Sequence, residues 1–343
     1  MAKSYDNPDI PDTDPRRIPD AIGQSEAFLD FQARLAAVAP VERPVLIIGE
    51  RGTGKELAAA RLHFLSRRWQ QPLVSLNCAS LSPSLIESEL FGHEAGAFTG
   101  AAQRRAGRFE LANRGSLFLD ELGLMPVSAQ EKVLRVTEYG VFERVGGTKE
   151  LQVDVRIIGA TNADLSQMVD KGSFKADLLD RLSFEVLHLP PLRMRRGDIA
   201  LLAGHFASRM AAELGMERTP ELSQQARQKL EAYQWPGNVR ELKNIVERAV
   251  YQSEGRTIRD VDFSPLRPPW QESTPCLDIS SHAAVPYDLG SVLIEKGLEE
   301  ARLELERRAL NEALAGDCSQ EEAAKRLKIS YNQFRALFRK HRA

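Results

Sequence analysis

Two strings in this chain combine residue types that can handle phosphate. Gly49-Glu-Arg-Gly-Thr-Gly-Lys55 follows the apolar run Val45–Ile48 and opens a helix-compatible stretch with Leu57, Leu62 and Leu65. Between Gly49 and Gly54 the glycines let the backbone N–H groups of Glu50, Arg51, Gly52 and Thr53 turn into one concavity. The helix that follows adds the positive end of its dipole, and Lys55 reaches the β- and γ-phosphates of a nucleotide such as ATP. Glu56 stands where a Ser or Thr usually ligates Mg2+, so the ion must lean on other ligands. Ser116-Leu-Phe-Leu-Asp120-Glu121 supplies them. At the end of an apolar strand beside the phosphate loop, Asp120 can hold the hydrated Mg2+ while Glu121 orients and deprotonates the attacking water. A third run, Val155–Gly159, ends in Ala160-Thr161-Asn162, where a γ-phosphate or the catalytic water can be sensed.

Positioning these groups takes a sheet. The short apolar runs Val45–Ile48, Leu73–Leu76, Ser116–Leu119 and Val155–Ile158 alternate with helix-compatible sequence, the pattern of an α/β fold with a parallel sheet buried on both faces. Ahead of it, Phe28, Phe31, Leu35 and Val38 share one face of a helix. After Pro190–Arg193 the periods turn helical, at Ile199–Leu214, Ser223–Tyr233 and Asn238–Tyr251. Clustered Pro and Ser between Arg256 and Gly290 mark a linker, and a last helical segment begins near Val292. The expected divisions are a tail at 1–20, an α/β subdomain at 21–190, a helical lid at 191–260, a linker at 261–291 and a terminal domain at 292–343.

Composition bounds the function. At about 150 residues per domain, 343 residues make roughly two folded units, and 43% hydrophobic with 27% charged is a soluble globular balance. The net charge of −2 excludes binding of nucleic acid or anionic membrane by overall attraction, so any such contact must be local. Cys78, Cys276 and Cys318 fit neither a disulfide framework nor a metal site and point to a reducing cytosol. No run approaches the ~18 apolar residues of a membrane span, and no signal peptide is evident. The local basic patch lies at the end: Lys325, Arg326, Lys328, Arg335, Arg339, Lys340 and Arg342 face no acid between Ala323 and Ala343. Ser319–Leu327, a short turn and Tyr331–His341 fit a helix-turn-helix with Ala323, Ala324, Leu327, Ile329, Phe334 and Leu337 in its core. Tyr331, Asn332, Gln333 and Arg335 would open the second helix against base edges, with Arg339 and Lys340 behind them.

Leu90-Phe-Gly-His-Glu-Ala-Gly-Ala-Phe-Thr-Gly-Ala101 is expected to be a mobile loop, neither helix nor central strand, with Phe98 exposed at its tip. Its GAFTGA, with ESELFGHE before and GRFE after, resembles the signature of the bacterial enhancer-binding AAA+ ATPases that activate RNA polymerase carrying sigma-54. The resemblance runs from Ile22 nearly to the C-terminus. It implies an α/β AAA+ P-loop NTPase with a helical lid and a C-terminal all-α helix-turn-helix domain of the Fis type, using ATP and Mg2+ and assembled as a hexameric ring. It further implies that Gly96, Ala97, Phe98, Thr99, Gly100 and Ala101 contact sigma-54. The segment Gly140–Thr148 would be a second loop moving with the first, with Arg144 grouped among the contacts and coupling the two loops. Asn77 matches the residue that restrains Glu121, although from the sequence alone it equally caps a turn. Thr161 and Asn162 match the first sensor, Arg240 in WPGNVREL the second, and Arg181 in ADLLDRL the arginine that reaches a neighbouring subunit's nucleotide. Where the family has a further arginine this chain has Lys175, which keeps the charge but loses the planar fork.

Most family members carry an N-terminal sensing domain, and here a Pro/Asp tail stands in its place, so regulation is expected from another protein or from expression. RPVLIIGERGTGKELAAARLH, FLSRRWQ and YNQFRALFRKH resemble the members that serve phage shock promoters. This implies a negative regulator of the phage shock protein A type, with Trp69 in SRRWQQ as its docking residue or else folded back on its own helix. The implied activity is ATP-driven opening of promoters by sigma-54 RNA polymerase holoenzyme from an upstream enhancer DNA, in the cytoplasm. The alternatives are another AAA+ machine, such as a helicase loader, and a DNA-binding regulator whose ATPase is vestigial.

Overall fold

The computed structural model describes residues 21–98, 101, 103–263, 299, 302–303, 306–307, 309–310, 313, 320–327 and 329–341. The expectations for the tail at 1–20, for most of the linker and for Thr99 and Gly100 lie outside the described residues. Two compact units divide the chain after Leu266. In chain order the first runs α1 (Glu26–Val38), β1 (Val45–Ile48), α2 (Lys55–Phe64), β2 (Leu73–Asn77), α3 (Pro83–Phe91), β3 (Gly92–His93), β4 (Arg105–Ala106), α4 (Arg108–Leu111), β5 (Ser116–Asp120), α5 (Val127–Tyr139), β6 (Val141–Glu143), β7 (Glu150–Gln152), β8 (Arg156–Thr161), α6 (Leu165–Asp170), α7 (Ala176–Leu182), β9 (Glu185–His188), α8 (Arg196–Glu213), α9 (Gln224–Ala232) and α10 (Asn238–Ser253).

Five strands form one parallel sheet in the order β2-β5-β8-β1-β9. Successive strand residues point to opposite faces, so the apolar runs split between two cores. Leu46, Leu117, Leu119 and Ile157 pack on the side of α3, α4, α5 and α7. Val45, Ile47, Phe118 and Ala160 pack with α1 and α2. The sequence reading leaves out β9, because Glu185-Val-Leu-His188 is an edge strand whose only fully buried side chain is Leu187. The register sets Asn77 beside Asp120 and Ile48 beside Thr161, which brings the carboxyl ends of the strands to one edge.

The string from Leu90 to Ala101 is not all loop. Leu90 and Phe91 are fully buried and keep α3 helical up to Gly92, whose φ of +73° ends it, and Gly92–His93 then pairs with Arg105–Ala106. A second hairpin joins β6 and β7.

Helices α8, α9 and α10 enclose a separate core around Trp235, which is wholly buried and donates its indole N–H to the Leu230 carbonyl. In the second unit, α11 (Gln320–Arg326) and α12 (Tyr331–His341) pack Ala323, Ala324 and Phe334 against Leu310 and Ala313.

Candidate functional site

The loop from Gly49 to Gly54 owes its shape to backbone conformations that suit glycine: Gly52 has φ +77° and Gly54 φ +100°. Helix α2 starts at Lys55, so the unpaired N–H groups of its first turn belong to the loop. The Lys55 ammonium is buried and donates to the carbonyls of Gly49 (3.0 Å) and Glu50 (3.3 Å), and the Thr53 hydroxyl donates to the Glu50 carbonyl. Glu56 is exposed. A Cβ added at Gly54 would meet nothing within 4 Å, which leaves that side of the loop open.

Asp120 ends β5 facing this loop's neighbour strand, and its Oδ1 accepts the Glu121 N–H at 3.0 Å. Glu121 has φ +50°, a left-handed conformation that costs a non-glycine residue on the order of 1 kcal/mol and turns its carboxylate toward Arg51, whose Nε is 3.8 Å away. The expected restraint of Glu121 by Asn77 is not made here. The Asn77 Nδ2 donates to Asp120 Oδ2 at 3.2 Å while its Oδ1 accepts the Ala79 N–H, so the amide caps the turn and holds the first acid rather than the second. Thr161 is buried, its hydroxyl accepts the Ala163 N–H and its carbonyl accepts the Gly49 N–H, whereas Asn162 is exposed.

The lid closes on the back of the same loop. Arg240 N–H donates to the Gly52 carbonyl at 3.2 Å, and its side chain is exposed. A Cβ at Gly52 would come within 2.2 Å of the Gly237 carbonyl, so only glycine permits this approach. Sequence reasoning missed Asn238 and the pair Glu50–Arg193. Asn238 has φ +51° and bonds Leu192, Glu50 and Arg51, while Arg193 grips the Glu50 carboxylate with two nitrogens at 2.6 and 2.8 Å. Hydrogen bonds from Arg193 and Asn238 hold the Glu50 carboxyl below its ordinary range. The signal was there in the Asn of WPGN, since asparagine is the commonest non-glycine residue in left-handed backbone.

Beyond the sheet, the two hairpins are stitched together. Val145 N–H donates to the Gly92 carbonyl, Glu94 N–H to the Val145 carbonyl, and Gly146 packs on Ala97. Arg144 lies between two acids, with Nη1 on Glu94 at 2.7 Å and Nε and Nη2 on Glu110 at 2.8 and 2.5 Å. Arg144, grouped above with the sigma-54 contacts, is 6% exposed here, and its guanidinium ties the two loops together inside the molecule. Ala101 is buried likewise, and Gly96 closes on its carbonyl. Phe98 is 41% exposed and stands edge-on to His93, centroids 5.0 Å apart.

Arg181 is not brought to the phosphate loop; it is exposed and donates to Glu138 at 2.8 and 3.0 Å. Lys175 immediately precedes α7, where its carbonyl accepts the Leu179 N–H, and its ammonium pairs with Glu131. Trp69 is 44% exposed beside Arg68, which is pinned to Glu42 and Asp154. In the second unit Tyr331, Asn332, Arg335 and Arg339 are exposed, the Gln333 amide oxygen caps α12 at Ser330, and Lys340 pairs with Glu306.

A five-stranded parallel sheet with a glycine loop after one strand, adjacent acids at another strand end and a helical lid defines an AAA+ P-loop module. Residues 21–188 match the sigma-54 interaction domain and 193–273 the AAA+ ATPase lid domain. The chain is 49% identical over 324 residues to the Psp operon transcriptional activator of Escherichia coli K12, covering 93% of this chain and 97% of that one. It is 44% identical over 290 residues to the regulatory protein AtoC of the same organism, covering 84% of this chain and 60% of that one. The crystal structure of NtrX from Brucella abortus in complex with ATP superposes with a TM-score of 0.65 at 31% identity, covering 96% of this chain and 69% of that one. This chain belongs to the sigma-54-dependent transcriptional activators. No described helix is long and apolar enough to cross a membrane.

Proposed function

We propose that this activator hydrolyses ATP to remodel the closed complex of sigma-54 RNA polymerase holoenzyme into an open one, at phage shock promoters. The observation that carries the reading is the shared edge on which Lys55, Asp120, Glu121 and the lid meet, joined through the chain to a hairpin pair that presents Phe98. The loop N–H groups and Lys55 bind the phosphates, and Lys55 exchanges its carbonyl partners for them. Glu121 accepts a proton from the water that attacks the γ-phosphorus, and the bond to the ADP oxygen breaks. No cluster of three acidic, His or Cys side chains among the described residues can hold a metal, so Asp120 would bind Mg2+ jointly with phosphate oxygens. When bound, the ion supplies charge neutralisation at the phosphates.

Arg240 serves its own subunit's nucleotide, Arg181 reaches that of the next subunit in a hexameric ring, and Lys175 faces the same interface. Thr161 and Asn162 sense the γ-phosphate. Phe98 and Thr99 engage sigma-54, and Arg144 transmits movement between the hairpins. Tyr331, Asn332, Arg335 and Arg339 meet enhancer DNA; engagement of Gln333 and Lys340 within their own unit favours the other four. The exposure of Trp69 supports its role as the anchor for a phage shock protein A type regulator in the cytoplasm.

Open-complex formation by sigma-54 polymerase on a linear promoter, with this protein and ATP, tests the reading. Wild type opens the promoter, Glu121→Ala does neither step, and Thr99→Ala hydrolyses ATP without opening DNA. Hydrolysis by wild type without opening would favour another AAA+ machine.

A further inference from the structure

The back of the phosphate loop is bolted to the lid through one side chain. Asn238 is 0% exposed, its Oδ1 accepts the Leu192 N–H at 2.8 Å, and its Nδ2 donates to Glu50 Oε2 at 3.1 Å and to the Arg51 carbonyl at 3.0 Å. Those three bonds join the connector into the lid, the first turn of α10 and two successive residues of the loop. Two further links lie alongside: Arg193 on the Glu50 carboxylate, and Arg240 N–H on the Gly52 carbonyl. Residues 50–52 thus carry the lid on one side, while the N–H groups and Lys55 of the same loop serve the other side. The φ of +51° at Asn238 admits Asn or Gly readily, so the amide is not there to satisfy the backbone alone.

We infer that Asn238 is a positioning residue that makes lid placement and phosphate-loop shape a single equilibrium, so that it sets nucleotide affinity rather than the rate of the chemical step. The inference rests on the reading of this edge as a nucleotide site. Without the amide, the Arg51 carbonyl loses a buried partner and Glu50 is held by Arg193 alone. The free loop then samples more conformations, and binding must restore the ordered one. Asp120 and Asn77 are untouched by the change.

Asn238→Gly keeps the left-handed backbone and removes the amide. Asn238→Asp keeps the shape and turns a donor into a carboxylate facing Glu50. With the full chain, the Kd for a fluorescent ADP analogue and the KM for ATP are expected to rise about tenfold in Asn238→Gly, with kcat within about threefold of wild type. Asn238→Asp should lose more, and adding Glu50→Gln to it should recover part of the loss by removing the facing charge. A residue that only supports the fold would lower the melting temperature and the active fraction and leave Kd unchanged; that result overturns the inference. A wild type that does not bind the ADP analogue overturns the nucleotide reading instead. If Asn238→Gly does not fold, Asn238→Asp, which removes the donor to Glu50 and the Arg51 carbonyl, carries the test, and a Kd unchanged in it rejects the coupling.

Discussion

The nucleotide edge and the hairpin pair of the first unit are held by different means. At the edge, parallel register lines up the ends of β2, β5, β8 and β1, and backbone conformation does most of the remaining work: left-handed Gly52, Gly54 and Glu121, and main-chain bonds from Gly49 and Arg240. The hairpins β3–β4 and β6–β7 lie outside that sheet, and their mutual placement hangs on a few main-chain bonds and one buried guanidinium between two carboxylates. A site that must present atoms to within fractions of an ångström is built on the rigid part. The element proposed to move is joined by a few main-chain bonds and one side-chain ion cluster, which can trade partners without unfolding a sheet.

The largest expected effect breaks the first half of that contrast. Glu121→Gln should lower ATP turnover by ~10²-fold or more with ADP affinity nearly unchanged, measured by phosphate release and by binding of a fluorescent ADP analogue. Next, Arg144→Met should destabilise the first unit by on the order of 2 kcal/mol in urea titrations, since Glu110 and Glu94 lose their shared partner while both retain some access to water. Promoter opening should fall by more than tenfold in that variant while ATP turnover stays within about threefold. Parallel loss of both activities would mean that the hairpins are part of the catalytic frame.

Acid should loosen the hairpins. Burial pushes the Glu110 carboxyl up, but hydrogen bonds from Arg144 and the Gly107 N–H outweigh it, and the group sits below its ordinary 4.5. A lowered folded-state value means that its contribution is fully present above about pH 4.5 and is lost as the pH falls through the folded-state value. The hydrogen-exchange protection factors of residues 92–98 and 141–146 should therefore fall on acidification below that pH, and Arg144→Met should flatten the dependence. The smallest effect is expected at Cys78, whose thiol is pushed up to about 12 by burial and by the charges of Asp120 and Glu121. Alkylation at pH 8 should be at least tenfold slower than in urea, and Cys78→Ala should change turnover less than twofold. Fast labelling of the native protein would mean that the edge opens far more than its register suggests.

Much of the fold was legible because both-face burial leaves continuous apolar runs, as at Val45–Ile48 and Ser116–Leu119. Edge strand β9 was not, since all its side chains but Leu187 reach water and its pattern mimics a loop. Phosphate-loop and acidic-pair residues could be named from local spacing, because each spacing is itself the chemical requirement. Asn77 could be named as well, yet whether its amide would meet Asp120 or Glu121 depended on the left-handed turn at Glu121, which no local pattern announces.

What the sequence by itself determined is therefore everything carried by neighbours along the chain: the helical and strand periods, the glycines that allow the loop, and the identity of the acids at the end of β5. Tertiary structure alone decided which distant groups share a bond. Arg144 meets Glu94 and Glu110, and Asn238 meets Glu50, across sequence separations of 50, 34 and 188 residues. The physical reason is that a charge or an amide can be satisfied by many partners, and only the packing of the sheet, lid and hairpins selects which one is within reach.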